Sequence, residues 1–407
     1  MRVDGQPRRT IWPAPQGDAV WVIDQRQLPH RWAEARLADR AAVRRAIADM
    51  WVRGAPLIGV SAAYGMALQC RADASDAALR AAKTELDSAR PTAVNLAWAT
   101  ARLLTRLMPL PVADRAAAAW AEAAQMADED VAVNAAIGRH GLLLLRELQR
   151  RHRGRPLNLL THCNAGWLAT VDWGTATSPI YQAHAEGMAL HVWVDETRPR
   201  NQGAALTAWE LAQEGVPHTL VADNAGGHLM QRGLVDAVLV GTDRVAANGD
   251  VANKIGTLLK ALSAHAYEIP FWVAMPLSSL DLGIADGLAG IPIEERDARE
   301  VTHLSGRDAA GRITEVEIAP AATKAANPAF DITPAHLVTQ LITERGCVAA
   351  DVAALRAIVA AAGPAGPAGA AGAAGAAEAD AEAQGSAGAS DVPIGCAAAA
   401  AQLLRKR

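Results

Sequence analysis

The sequence predicts an α/β fold in which a parallel sheet wrapped by helices follows a mostly helical N-terminal domain with a small antiparallel sheet. Three observations carry this. Five short apolar runs, PLNLLTHC, LHVWVDE, HTLVADN, AVLVGTD and PFWVAMP, are separated by about 20–33 residues of helical pattern, the distance that right-handed β-α-β crossovers require. Ahead of them the chain reads as a series of helices, at approximately 39–51, 56–69, 75–89, 92–107 and 112–151. Ahead of those, residues 10–30 alternate apolar and polar around Pro and Gly, as short antiparallel strands do.

Taken in order, the small sheet comes first. The helices after it break at RGAP, Arg53 to Pro56, and at RPTA, Arg90 to Ala93. The five runs then form a Rossmann-like sheet. A chain of 407 residues suits more than one unit at roughly 150 residues each, and the texture places them at 1–111, helical, and 112–362, Rossmann-like. Residues 363–407 open with GPAGPAGAAGAAGAAEADAEAQGSAGAS, which has almost nothing to bury and reads as a disordered low-complexity tail, closed by a short helix over CAAAAAQLLRKR.

Composition narrows the partners. A net charge of −4 from 39 basic and 43 acidic residues leaves no footprint for nucleic acid or an anionic membrane, so a small molecule is the expected partner. Cys70, Cys163, Cys347 and Cys396 are widely spaced without a C-x-x-C, which suggests neither a disulfide framework nor a zinc site and points to reducing cytoplasm. No apolar stretch reaches the roughly 18 residues of a membrane span, and MRVDGQPRR lacks the apolar region of a signal peptide.

The strand ends carry the chemistry. Four runs finish in a polar or reactive residue: Cys163, Glu196 after Asp195, Asn224 after Asp223, and Asp243. Ligands of open α/β sheets bind beyond the carboxyl ends of the strands, so Cys163 and Asp243 are expected in one pocket. Each has a plainer reading, the cysteine as a small core hydrophobe and the aspartate as a helix cap. His162 is expected on the opposite face of its strand, supporting the site or filling core. AANGDVANKIGTLL is read as a helix start at Asn248, Gly249 and Asp250, with Asn253 and Lys254 in the first turn, where free N–H groups would receive a phosphate. Arg53 and Arg90 stand at helix junctions, as anion ligands or as caps and surface ion pairs. There is no G-x-x-x-x-G-K-[ST] and no G-x-G-x-x-G after a predicted strand, so a sugar phosphate fits better than a nucleotide.

Longer segments then speak together. VRGAPLIGVSAAYG, RPTAVNLAWA, LTHCNAG, ETRPRNQGAALTAWEL, VGTDRVAANGDVANKIGT and NPAFDITP closely resemble the methylthioribose-1-phosphate isomerases of methionine salvage, over about residues 10–360. The resemblance implies a homodimeric enzyme that converts 5-methylthioribose 1-phosphate to 5-methylthioribulose 1-phosphate without metal or organic cofactor. It places the family's catalytic cysteine and acid on Cys163 and Asp243. Its substrate-binding positions fall on Arg53, Gly54, Ala55, Arg90, Gln202, Asn253 and Lys254. Trp167 and Trp173 depart from the smaller or tyrosine residues expected beside the cysteine, and the tail has no counterpart.

The chemistry suits these residue types. A phosphate on the anomeric oxygen blocks opening to a free aldehyde, so the ring oxygen needs an acid while hydrogen moves from C2 to C1. A protonated Asp243 would serve. Cys163 would relay a proton through an enediolate or polarise an intermediate during direct hydride shift. Two other readings share the pattern: ribose-1,5-bisphosphate isomerase, and the non-catalytic regulatory subunits of the initiation-factor exchange complex. The bisphosphate enzyme needs a second basic cluster, and none is evident near these segments.

Overall fold

In a computed structural model, residues 1–90, 94–152 and 154–362 are described. The expected disordered tail, its closing helix, Cys396 and the PTA of RPTA lie outside the described residues.

The N-terminal region follows the expected order. Ile11–Pro13, Val20–Ile23 and Glu34–Leu37 pair antiparallel, and helices Arg40–Ala48, Ala55–Ala72, Asp76–Asp87 and Val94–Leu107 follow. Side chains set the starts of two of them: Asp39 accepts from Ala42 N at 2.7 Å and Ser75 from Ala78 N at 3.3 Å. The Ala55–Ala72 helix is buried along most of its circumference, and its Leu57, Met66 and Ala67 form the centre of the first core. Its first residue is Ala55, so Pro56 stands second rather than first. Gly54 caps it at φ 90°, and a Cβ there would overlap the backbone of Ala169, so glycine alone lets this helix start press against the loop after Cys163.

Val112–Arg151 is one long helix shared by two cores. Ala119, Ala123 and Met126 pack against the N-terminal helices, while Ile137, Leu142, Leu145 and Leu148 pack against the sheet.

All five apolar runs are parallel neighbours in one seven-stranded sheet. From edge to edge the order is Gly346–Val348, Gln340–Thr343, Phe271–Ala274, Ala237–Val240, Leu157–Thr161, Leu190–Asp195, His218–Val221. Alternate residues serve opposite faces: Leu159, Ala237 and Leu239 meet the long helix, whereas Leu160, Val238 and Val240 meet the helices carrying Leu229 and Ala261. Gln340–Thr343 and its antiparallel neighbour Gly346–Val348 lie outside the five expected strands, because the connection before them, residues 275–339, far exceeds an ordinary crossover.

That connection contributes to a second sheet, ordered Leu280–Asp281, Arg244–Ala246, Val251–Lys254, Phe330–Thr333. It corrects the expected helix start. Asn253 and Lys254 lie on a strand, opposite Asp331 and Phe330, and the helix begins only at Thr257 after Gly256. Asn248-Gly249 is instead a hairpin turn, with Gly249 at φ 89° and Asn248 Oδ1 accepting from Asp250 N at 3.1 Å. Asn-Gly flanked by apolar residues is a hairpin signal, and it outweighs the capping signal here.

Candidate active site

In chain order the six parallel strands stand 3-2-1-4-5-6, so the order reverses between Leu157–Thr161 and Ala237–Val240. A crevice opens at such a switch point, and Cys163 and Asp243 follow those two strands. Cys163 takes φ 64°, a left-handed conformation that costs a non-glycine residue about 1–3 kcal/mol. Two hydroxyls hold it: its N–H donates to Thr197 Oγ1 at 2.8 Å, and Thr207 Oγ1 donates to its carbonyl at 2.7 Å.

Two buried acids support this turn from outside the cleft. Glu210, fully buried, accepts from Trp167 N at 3.1 Å, Leu168 N at 2.9 Å, Asn164 Nδ2 at 2.9 Å and the Tyr181 hydroxyl at 3.0 Å. A Cβ at Gly166 would collide with that carboxylate, which explains why the strand breaks into Asn-Ala-Gly. Asn164 in turn receives both ends of the Arg53 guanidinium, at 2.6 Å on Oδ1 and 2.7 Å on its carbonyl. On the other side, His162 is buried with Nδ1 2.9 Å from Asp195 Oδ2 and Nε2 donating to Ile255 O at 2.8 Å. The opposite face of its strand was expected for it, yet it also lines the cleft beside Cys163. Nothing in the sequence pattern marked Glu210, Asn164, Thr197 or Thr207.

The cleft, about 810 Å³ including its open mouth, is lined by every residue expected in the site: Arg53, Gly54, Ala55, Arg90, Cys163, Gln202, Asp243, Asn253 and Lys254. Trp167 and Trp173 stay out of the lining, and Trp167 packs on Trp209 in the core. Burial pushes the Asp243 carboxyl above its usual range while Arg90, Arg53 and Lys254 pull it down. Burial likewise raises the Cys163 thiol, opposed by Arg53 and Lys254. Lys254 is lowered by its own burial and held up by Cys163, Glu300 and Asp243. The side-chain oxygen of Gln202 is buried without a protein partner, a free acceptor at the cleft wall.

One expectation changes. Arg200 and Arg296 also line the cleft, so the site has more basic side chains than its sequence segments suggested. Both are matched by acid: Arg200 and Arg296 each reach Glu300 at 2.7 Å, and Arg296 reaches Glu294 at 2.8 Å. Burial raises the Glu300 carboxyl, but hydrogen bonds from Arg296 and Arg200 outweigh it and bring it to about 2.

Among the described residues, one donor group, His162, Asp195 and Asp223, is compact enough for a metal ion. Lys260 Nζ lies 2.9 Å from Asp195 Oδ2 and donates to Asp223 O at 2.7 Å, so an ammonium already fills the cationic position there.

Fold and cleft together define an α/β protein whose switch point opens on a cleft lined by Arg and Lys side chains. The Initiation factor 2 subunit family, IF-2B, matches residues 51–350. Methylthioribose-1-phosphate isomerase of Methylocella silvestris is 58% identical over 358 residues, spanning 88% of this chain and 98% of that protein. The enzyme of the same name from Rhodospirillum centenum is 60% identical over 358 residues, spanning 88% and 96%. The solved 5-methylthioribose 1-phosphate isomerase from Pyrococcus horikoshii OT3 is 38% identical with a TM-score of 0.76, covering 88% of this chain and 97% of that one. The translation initiation factor eIF-2B, subunit delta, from A. fulgidus is 36% identical with a TM-score of 0.71, covering 86% and 100%. The chain belongs to the Initiation factor 2 subunit family and, within it, to the methylthioribose-1-phosphate isomerases.

Proposed function

We propose that the chain isomerises 5-methylthioribose 1-phosphate to 5-methylthioribulose 1-phosphate in methionine salvage, with Cys163 and Asp243 acting on the sugar. The observation that carries the site assignment is the convergence of this thiol and this carboxyl, from the two strands flanking the switch point, on a cleft rich in Arg and Lys. Asp243, whose carboxyl burial raises, donates a proton to the ring oxygen and opens the ring. Cys163 serves the transfer of hydrogen from C2 to C1. Arg53, Arg90 and Lys254 hold the phosphate dianion, with Gly54, Ala55 and Asn253 shaping its seat, and the unpartnered oxygen of Gln202 takes a sugar hydroxyl. The enzyme works as a cytoplasmic homodimer, without metal or organic cofactor and without nucleic acid or membrane as partner.

The arginines at 200 and 296 give ribose 1,5-bisphosphate a specific claim as an alternative substrate. Turnover of 5-methylthioribose 1-phosphate, 5-deoxyribose 1-phosphate and ribose 1,5-bisphosphate should therefore be compared in one assay. Preference for the thioether sugar is expected. Isomerisation of the bisphosphate alone would replace this reading, and turnover of none would favour a binding subunit.

A further inference from the structure

The turns that carry Cys163 and Asp243 are tied to the same short strand. Asp243 N donates to Ala252 O at 3.0 Å, and Thr242 Oγ1 donates to that oxygen at 2.8 Å, which fastens the turn carrying the acid to Val251–Lys254. Three residues on, Ile255 O accepts from His162 Nε2 at 2.8 Å, and His162 directly precedes Cys163. A carbonyl oxygen only accepts, so this bond fixes a hydrogen on Nε2. We propose that His162 is a positioning residue that sets the separation of the Cys163 thiol from the Asp243 carboxyl, by tethering the cysteine turn to the strand that already holds the acid. The inference rests on the isomerase reading above, in which both groups act on one sugar.

Its first support is the anchoring of the ring. Asp195 Oδ2 stands 2.9 Å from Nδ1, and the Lys260 ammonium lies 2.9 Å from the same oxygen, all three side chains being buried. Lys260 Nζ also donates to Asp223 O at 2.7 Å, and the Asp223 carboxylate accepts from Thr197 N and Arg198 N at 2.7 Å each. Thr197 Oγ1 in turn accepts from Cys163 N. Ring and cysteine backbone thus belong to one buried network, so a shift of the ring carries the thiol with it. The second support is Gly256, at φ 101°. A Cβ there would stand 3.0 Å from His162 Cε1, so glycine is what lets the ring approach this strand end closely enough to reach Ile255 O. A histidine that only filled core would need partners for its nitrogens; this one spends its Nε2 bond on joining the two walls of the cleft.

The test uses the full-length enzyme and two substitutions that each keep one of the ring's bonds. The amide nitrogen of Gln reaches the place of Nε2 and that of Asn the place of Nδ1, so His162→Gln keeps the tether to Ile255 and His162→Asn loses it. Thermal melts establish that each variant is folded, calorimetry reads substrate affinity, and single-turnover rates read the chemistry. His162→Asn should lower kcat by about 10- to 100-fold with affinity within about threefold of wild type, because a displaced thiol costs rate while the phosphate ligands remain. His162→Gln should recover kcat to within about fivefold of wild type. A purely structural histidine would instead lower Tm in both variants and leave kcat as it was. A ring that itself moved protons would fail in both, since an amide transfers none. A folded His162→Asn enzyme with wild-type kcat therefore overturns the tether, and so does a His162→Gln enzyme as slow as His162→Asn. Should the Asn variant not fold, a folded His162→Gln enzyme slowed by about 100-fold overturns it equally. Failure of wild type to isomerise the methylthio sugar sinks the functional reading instead.

Discussion

The two walls of the cleft hold their side chains by different means. On the parallel-sheet wall, Cys163 is fixed by its own left-handed backbone, by the hydroxyls of Thr197 and Thr207, and by the buried carboxylates of Asp195 and Glu210 behind its neighbours. On the antiparallel wall, Asn253 and Lys254 are held by strand pairing with Asp331 and Phe330, and the Lys254 ammonium, lowered by its own burial, is held up by the charges of Cys163, Glu300 and Asp243. The contrast follows from what each wall has to do. A group that moves a proton needs placement within a fraction of an ångström, whereas a cation that attracts a phosphate tolerates small displacements. Substitutions on the first wall should therefore act on turnover, and those on the second on binding.

The largest effect is expected at the reacting groups. Asp243→Asn keeps shape and hydrogen-bonding capacity but loses the transferable proton, and Cys163→Ala removes the thiol. Each should lower turnover by about 10²–10⁴-fold with substrate affinity near normal. Single-turnover rates with calorimetric binding decide this, and near-wild-type rates in the Asn variant remove Asp243 from the chemistry.

Next come the phosphate ligands. Lys254→Ala and Arg90→Ala should each weaken substrate binding by about 2–3 kcal/mol, the size of a charge-assisted hydrogen bond. Arg53→Ala should do this and also slow turnover, because Arg53 is bonded to Asn164 beside Cys163 and so belongs to both walls. If Lys254→Ala lowered turnover as far as Cys163→Ala with binding intact, the division between the walls would collapse.

An effect on stability, leaving the cleft's own groups in place, separates the buried support from the site itself. Burial raises the Glu210 carboxyl from 4.5 to about 7, against hydrogen bonds from Asn164, Leu168 N and Tyr181 and the charge of Arg53. The folded state thus binds this proton more tightly than the unfolded chain. Its contribution to stability is fully present below about pH 4.5 and is lost as pH rises through about 7, on the order of 3 kcal/mol in all. Asp130, also raised to about 7, is unchanged in a Glu210→Gln variant, so the difference between the two proteins isolates Glu210. Urea unfolding at pH 4.5 and 7.5 should show wild type losing more stability than the variant. Parallel losses would mean that Glu210 keeps one protonation state throughout.

The walls also differ in how far the sequence reveals them. Strands buried on both faces are continuous apolar runs, so Cys163 and Asp243 were visible as the residues where two such runs end. The antiparallel wall has strands of three or four residues, too short for a period, and the Asn-Gly turn between them also suits a helix cap. Asn253 and Lys254 are thus placed in an anion site through a helix start that the structure replaces with a strand, and the family resemblance assigns the same two residues to substrate binding. Glu210 was hidden for another reason: a single acid in a helical pattern looks solvent-facing, and only the tertiary fold turns it toward the loop at 164–168.

The smallest effect is expected at the far end of the chain, where composition and packing make opposite demands on either side of Ala362. Residues 363–407 carry few large apolar side chains, and the nine expected site residues all lie between Arg53 and Lys254. Removing everything after Ala362 should leave kcat and KM within about twofold of the full chain. The cut has to respect the helix before it. Leu355 of Val352–Ala362 is buried in the core that covers one face of the parallel sheet, together with Val240 and Val273, and Ile358 of the same helix is buried as well. Truncation after Asp351 should therefore cost about 2–5 kcal/mol for the lost leucine alone. Paired melts and assays on the two truncations separate a dispensable tail from a structural helix. A folded but inactive protein ending at Ala362 would show that the tail reaches the cleft, and the site would then need a third wall.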